Sequence, residues 1–245
     1  MKYRKLIFLI ILFASVPLYA LDLIATRVQI RAQIGDISTD TVKQRWSDSL
    51  LNDRINIVQR NIAVYTRCIY GRSFITPTTG QAEYNLPSDC MTIDRVSYLI
   101  ITTTSAYKKL AWRSMGGLDR DSPYWENLSS GMPKYYYERG NMIGLSPAPG
   151  VSYSNQNALK IDYFVLPTNL IFDTDVPFNG DYSLYPFHDL IILGVVIMCK
   201  TDDNRYNEVQ ILKAEYYRLL DIMDKRIWDK PDKAGNISIW NNDNR

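Results

Sequence analysis

The chain has one histidine, His188, in "SLYPFHDL", so any imidazole chemistry must pass through it. Ser183 and Asp189 stand close enough in sequence to suggest a Ser-His-Asp nucleophile, base and orienting acid. Their placement argues against that chemistry. His188 and Asp189 are neighbours on a predicted helix and diverge, and no Gly-x-Ser-x-Gly elbow presents a serine. The structural reading is a histidine that packs or caps at a helix N-terminus. "DTDVPFNGD", Asp173 to Asp181, gathers the acids of a calcium loop. Pro177, however, occupies the third ligand position, and no Glu closes the loop. Asp and Asn here are expected to make turns and cap the helix that follows. No Walker motif, dinucleotide fingerprint or HExxH occurs, and Gly116-Gly117 reads as an ordinary turn. Cys68, Cys90 and Cys199 are too few and too irregular for a zinc site or a disulfide framework. Cys199 falls in an apolar helical run and reads as a small buried hydrophobe, whereas pairing of Cys68 with Cys90 stays open. These residues imply no enzyme, no metal and no cofactor.

The aromatic residues are more informative. "SGMPKYYYERGNMIGLSPAPG" places three tyrosines before Arg139-Gly140-Asn141, which supplies positive-φ residues for a tight turn. The stretch therefore predicts two antiparallel strands, 134–138 and 141–146, ended by Pro147 and Pro149. Tyr135 and Tyr137 share one face and Tyr136 takes the other. A hairpin apolar on both sides is either sandwiched inside a domain or covered by a neighbouring subunit. The set Tyr135, Tyr136 and Tyr137 is thus a candidate intersubunit β face. The chain holds 18 tyrosines, and this side chain suits interfaces because it buries area and keeps a polar tip.

Helices are expected on either side of this β region. Leu23, Ile24, Val28, Ile30 and Ile34 suggest a first helix closed by Gly35. A second is expected after Asp40 or Thr41, with Val42, Trp46, Leu50, Leu51, Ile55, Val58 and Ile62 on one stripe. Strands follow near 92–100, at 106–112 and at 158–167, with the hairpin between them. "FHDLIILGVVIMCK", 187–200, is apolar almost all round and reads as a buried helix, its greasy core too short for a bilayer. A final amphipathic helix starts at Asp202 or Asn204 and stops at Pro231. The expected fold is α+β: a helical bundle from N- and C-terminal helices, an inserted antiparallel β domain and an extended C-terminal arm. The boundaries are 21–72 and 173–229 for the bundle, 73–172 for the insertion and 230–245 for the arm.

Residues 1–20 form a leader with a basic start, an apolar core from Leu6 to Leu18 and Ala20 as a cleavage residue, the layout of a secretory signal peptide. Without its Lys2, Arg4 and Lys5, the 28 basic residues fall to 25 against 26 acidic ones, a net charge of −1. A balanced chain argues against a dedicated nucleic-acid-binding surface, though loose contact with DNA is compatible with it.

Five segments in order resemble tailed-phage head-to-tail adaptor proteins, a family that includes the tubular tail protein A group of short-tailed phages. They are "LNDRINIVQRNIAVYT", "TTGQAEYNLPSDCMTIDRVSY", "LDRDSPYWENLSSGMPKYYYERGNMIGLSPAPG", "LKIDYFVLPTNL" and "LYPFHDLIILGVV", within about 22–228. The resemblance implies a structural virion protein: a ring on a dodecameric portal, continuing the DNA channel and presenting a platform to the next tail component. Its partners would be the portal protein, that tail component, further copies of itself and DNA in transit. Ile237, Ile239 and Trp240 fit a C-terminal arm that binds the portal or the adjacent subunit. Such a virion protein would be assembled in the host cytoplasm, with residues 1–20 retained or never translated. The leader supports the alternative, a secreted or periplasmic binding protein.

Overall fold

The computed structural model describes residues 21–38, 44–101 and 106–228. The chain is α+β and divides into two compact units, a helical one up to Cys68 and from Thr168 onward, and a sheet unit from Ile69 to Pro167.

The helical unit begins with α1, Leu23–Ile34. The Asp22 carboxylate caps it by accepting the Ala25 N–H at 2.8 Å, and Gly35 ends it at φ +80°, a backbone state that costs glycine little. Helix α2, Asp48–Thr66, starts later than the apolar spacing suggests. Ser47 is its cap, and the Asp36 carboxylate accepts the N–H groups of Arg45 and Trp46 at 3.0 and 3.2 Å, which holds them in a turn. Trp46 is buried all the same, with the Arg54 guanidinium 4.3 Å from its ring centroid. Residues 39–43, where the expected start falls, lie outside the described residues. Within α2, Leu51, Ile55 and Ile62 are fully buried, each worth about 1.5–3 kcal/mol on removal from water.

The core of the unit is α4, His188–Asp202, which buries Leu190 through Val196 and Cys199. With the 3-10 turns before it, the run Tyr182–Asp202 has the length and hydropathy of a membrane span. Its burial gives that composition a different cause, because α4 packs on α1, α2 and the last helix, α5, Tyr206–Trp228. Gly194 permits the closest approach: a Cβ there would lie 2.5 Å from Val58 Cγ1. Helix α5 also starts later than expected. Asp202 still belongs to α4, and Asn204 takes φ +57°, which breaks the helix before Tyr206. Val209, Leu220 and Met223 form its buried stripe.

The sheet unit holds two four-stranded sheets. The first has the order β1–β8–β3–β4, built from Tyr70–Ile75, Leu159–Val165, Cys90–Ile101 and Ala106–Lys109, all antiparallel. The second has the order β2–β7–β6–β5, from Glu83–Asn85, Met142–Ser146, Tyr135–Arg139 and Ala111–Trp112. The strand expected at 106–112 is two strands in different sheets. Leu110 sits between them, buried, with its N–H on the Val96 carbonyl at 2.9 Å. The sheets are not wholly antiparallel, because β5 joins β6 in parallel. A short helix, α3, Met115–Asp121, fills the connection after β5.

Hairpin β6–β7 turns at Gly140, φ +62°. Tyr137 lies across the pair from Gly144, where an added Cβ would fall 2.0 Å from its ring. Leu118 of α3 and Trp125 cover Tyr137, while Met115 and Tyr135 pack beside them. Trp125 meets the Tyr137 ring edge-on at 5.0 Å, a favoured aromatic geometry. Tyr136, on the opposite face, is buried as well. The hairpin is therefore sandwiched inside its own unit, and of the three rings only Tyr135 is half-exposed.

Candidate assembly surfaces

In the helical unit, α1 buries charge alongside its apolar residues Leu23 and Ile30. Its charged residues, Arg27 and Arg31, are both buried, and each donates to acids contributed by other segments. Arg27 reaches Asn52 Oδ1 at 3.0 Å and Asp173 Oδ1 at 2.5 Å. Arg31 reaches Asp36 and Asp48, each at 2.7 Å. Arg54 of α2 completes the buried set, donating to Asp202 at 2.5 Å and to Cys199 Sγ at 3.2 Å. Buried guanidinium groups need such partners, because a lone buried charge costs several kcal/mol. Since the charges face inward, the outward face of α1 carries Ile24 and Val28, the latter 61% exposed.

The loop beside α1 is fixed by α2. Asn56 both donates to and accepts from the backbone of Leu170, at 3.1 and 2.8 Å. Gln59 donates to the Thr168 carbonyl at 2.9 Å and accepts the Phe178 N–H at 3.3 Å, while Arg60 reaches Asn169 Oδ1 at 2.9 Å. The Asn and Gln-Arg of "NIVQR" therefore staple the segment 168–178. Asp175 accepts the N–H groups of Ile171 and Phe172 at 2.7 and 2.8 Å, and these bonds hold its carboxyl below the usual range. The loop thereby presents Ile171 and Phe172 outward, each about 70% exposed, next to Ile24, whose N–H donates to Asp173 O. Helix α5 also exposes apolar residues in two separate lines: Tyr206, Tyr217 and Trp228 recur every eleven residues, with Ile211 and Ile222 at the same interval on another side of the helix, and exposed Arg218, Asp221 and Lys225 between them. Eleven residues make about three helical turns, so each set forms a line.

The residues considered for chemistry are absorbed by structure. His188 is buried, its Nδ1 accepts the Leu21 N–H at 3.2 Å, and Tyr185 and Phe178 flank its ring. Burial lowers its pKa to about 4. Ser183 donates its N–H to Asp181 at 2.9 Å, a capping contact, and burial raises the Asp189 carboxyl. Asp173, Asp175 and Asp181 each serve a different arginine, turn or cap, and no metal-binding group of three assembles among the described residues. The three cysteines are free thiols, with burial pushing Cys68 up to about 11. In the sheet unit, a shallow cleft of about 410 Å³ lies between Glu83, Trp125, Glu126, Tyr137 and Arg139. Glu83 accepts from Tyr137 Oη at 3.1 Å and from Arg139 at 3.3 Å, which braces the hairpin. Ile237, Ile239 and Trp240 lie outside the described residues.

Sequence inspection finds the α2 motif without showing its task. It misses the surfaces at Phe172 and Tyr217, whose residue types suit a core equally well. What the geometry describes is a building block: buried arginines paired internally, apolar residues turned outward and no metal-binding group of three among the described residues.

The family model described as SU10 adaptor protein matches residues 20–238, most of the chain, and the chain belongs to this family of phage head-to-tail adaptors. A search of curated proteins found no match.

Proposed function

We propose that the chain forms a portal-bound ring that joins the phage head to the tail and continues the DNA channel. The family match over 20–238 carries this reading. The outward apolar faces of the helical unit support it, since a monomer rarely leaves such surfaces uncovered. The ring matches a dodecameric portal and offers its other side to the next tail component. Its subunits contact through a heterologous interface, which closes into a ring when the rotation permits. Residues 230–245 form an arm, with Ile237, Ile239 and Trp240 anchoring it to the portal or the adjacent subunit. The protein assembles in the host cytoplasm and does no catalysis. The test is native mass spectrometry of the chain with portal-bearing heads, together with determination of the N-terminus in the particle. A closed ring on each head is expected. A monomer that never joins the head, or a chain exported and starting at Leu21, would sink the reading.

A further inference from the structure

In the first sheet, strand pairing sets side chains in rows. Phe74, Lys160, Ser97 and Lys109 form one row across β1, β8, β3 and β4. Arg72, Asp162 and Arg95 form the next, and Tyr70, Phe164 and Thr92 the one after it. Neighbours across strands, and residues two apart along them, point to the same side, so the rows make one face. Tyr107 stands on it too, its ring centroid 6.3 Å from that of Phe74 and 4.7 Å from Lys160 Nζ. The face is basic. Arg72, Arg95, Lys109 and Lys160 meet two carboxylates, Asp162 and Asp94, which leaves two positive charges in excess. Asp162 is buried and shared between the two arginines, so it balances one of them. Asp94, in the bulge before Arg95, stands near Tyr70, whose pKa is raised by burial and by this carboxylate. Lys109 and Lys160 make no ion pair among the described residues. The excess is local, since the chain beyond its leader is close to neutral. Rings bracket it along β1, where Tyr70 and Phe74, both exposed, lie two residues either side of Arg72.

We propose that this face binds single-stranded nucleic acid, its phosphates on Arg72, Arg95 and Lys109 and its bases stacked on Tyr70 and Phe74. The inference goes beyond the head-to-tail reading and does not depend on the ring. Charge and rings together select this partner. Arg72 donates to Asp162 through Nε alone among the described residues, at 2.6 Å, and its half-exposed guanidinium keeps further N–H groups for a phosphate. Exposed rings on a four-stranded sheet give bases a stacking surface that any base sequence can use. A duplex keeps its bases stacked inside, so it would meet the cations and leave the rings bare. An acidic protein segment would likewise answer the charge and make no use of flat rings set on either side of Arg72.

The test is fluorescence anisotropy of the full-length chain with labelled oligothymidylate over a series of salt concentrations. Binding is expected at low salt and should weaken as salt rises. Lys109→Glu changes an exposed side chain and should reduce both the affinity and its salt dependence, the latter by about one phosphate contact. Phe74→Leu keeps an apolar contact for Tyr107 and removes the stacking ring; affinity should fall about fivefold or more with the salt dependence unchanged. Circular dichroism checks that both variants keep the fold. An oligothymidylate that does not bind at low salt would overturn the proposal, as would binding that neither variant weakens. A duplex bound as tightly, with Phe74→Leu neutral, would replace it with a contact for the DNA backbone alone. Polyglutamate displacing the label as well as unlabelled oligothymidylate does would replace it with a dock for an acidic protein.

Discussion

Burial holds His188 neutral down to about pH 4, whereas an exposed histidine takes its proton near 6.5. The folded state therefore binds fewer protons than the unfolded one between these values. The contribution is complete above 6.5 and is lost as pH falls toward 4, by at most about 3 kcal/mol. His188→Gln keeps an acceptor for the Leu21 N–H but cannot titrate. Its melting temperature should fall less steeply than that of the wild type from pH 6.5 to 4; an identical slope would refute the assignment. Asp189 titrates in both proteins, so the difference isolates the imidazole. Asp162, at the centre of the first sheet, obeys the same sign for a different reason. Burial raises its pKa, but hydrogen bonds from Arg72 at 2.6 Å and Arg95 at 3.0 Å outweigh burial and hold it low. Its contribution is present at neutral pH and disappears only as pH falls through this lowered value. Both arginines are about half exposed, which screens the pairs. Asp162→Asn should cost about 1–2 kcal/mol at pH 7 in urea unfolding, and progressively less as pH falls below the ordinary aspartate range.

A single methyl group tests how tightly the elements fit. Tyr137 lies over Gly144, and alanine there would put its Cβ 2.0–2.4 Å from ring atoms. The ring must then move off Trp125, so Gly144→Ala should destabilise the sheet unit by about 2–3 kcal/mol and shift tryptophan emission. Unchanged stability and emission would mean that the strands part easily at this pair. Gly194→Ala presses Val58 in the same way and should cost about 1–3 kcal/mol in thermal unfolding. The hairpin, its turn and the burial of α4 were legible from spacing and residue type, because each follows from local periodicity. The start of α2 was not. Val42 and Trp46 fit the helical spacing, yet Asp36, ten residues upstream of Trp46, ties the chain into a turn. The buried charge of α1 was hidden for the same reason: Arg27 and Arg31 turn inward beside Leu23 and Ile30 because Asp36, Asp48 and Asp173 arrive from other segments. The candidate surfaces were thus largely illegible, since exposure depends on which side the partners occupy.

For the whole molecule, the order of features along the chain proved more informative than any single motif, because five weak signatures in sequence agree with one family over 20–238. The arm proposed for residues 230–245 is tested at this scale. Removing residues 231–245 should leave the circular dichroism spectrum unchanged and weaken docking to portal-bearing heads, with Trp240→Ala costing about 2 kcal/mol of that affinity. Docking unaffected by the deletion would show that the arm has no such part. The insertion of the sheet unit carries a further consequence, in time rather than in space. The chain leaves the helical unit at Cys68 and returns at Thr168, and the central helix α4 begins only at His188. On the ribosome, at about 5–20 residues per second, α1 and α2 wait about 6–24 s for the helix that covers them. The sheet unit, being one uninterrupted stretch, has all its strands by Val165. Synthesis therefore delivers a finished sheet unit before the bundle is complete, and the bundle's outward apolar faces come into being last.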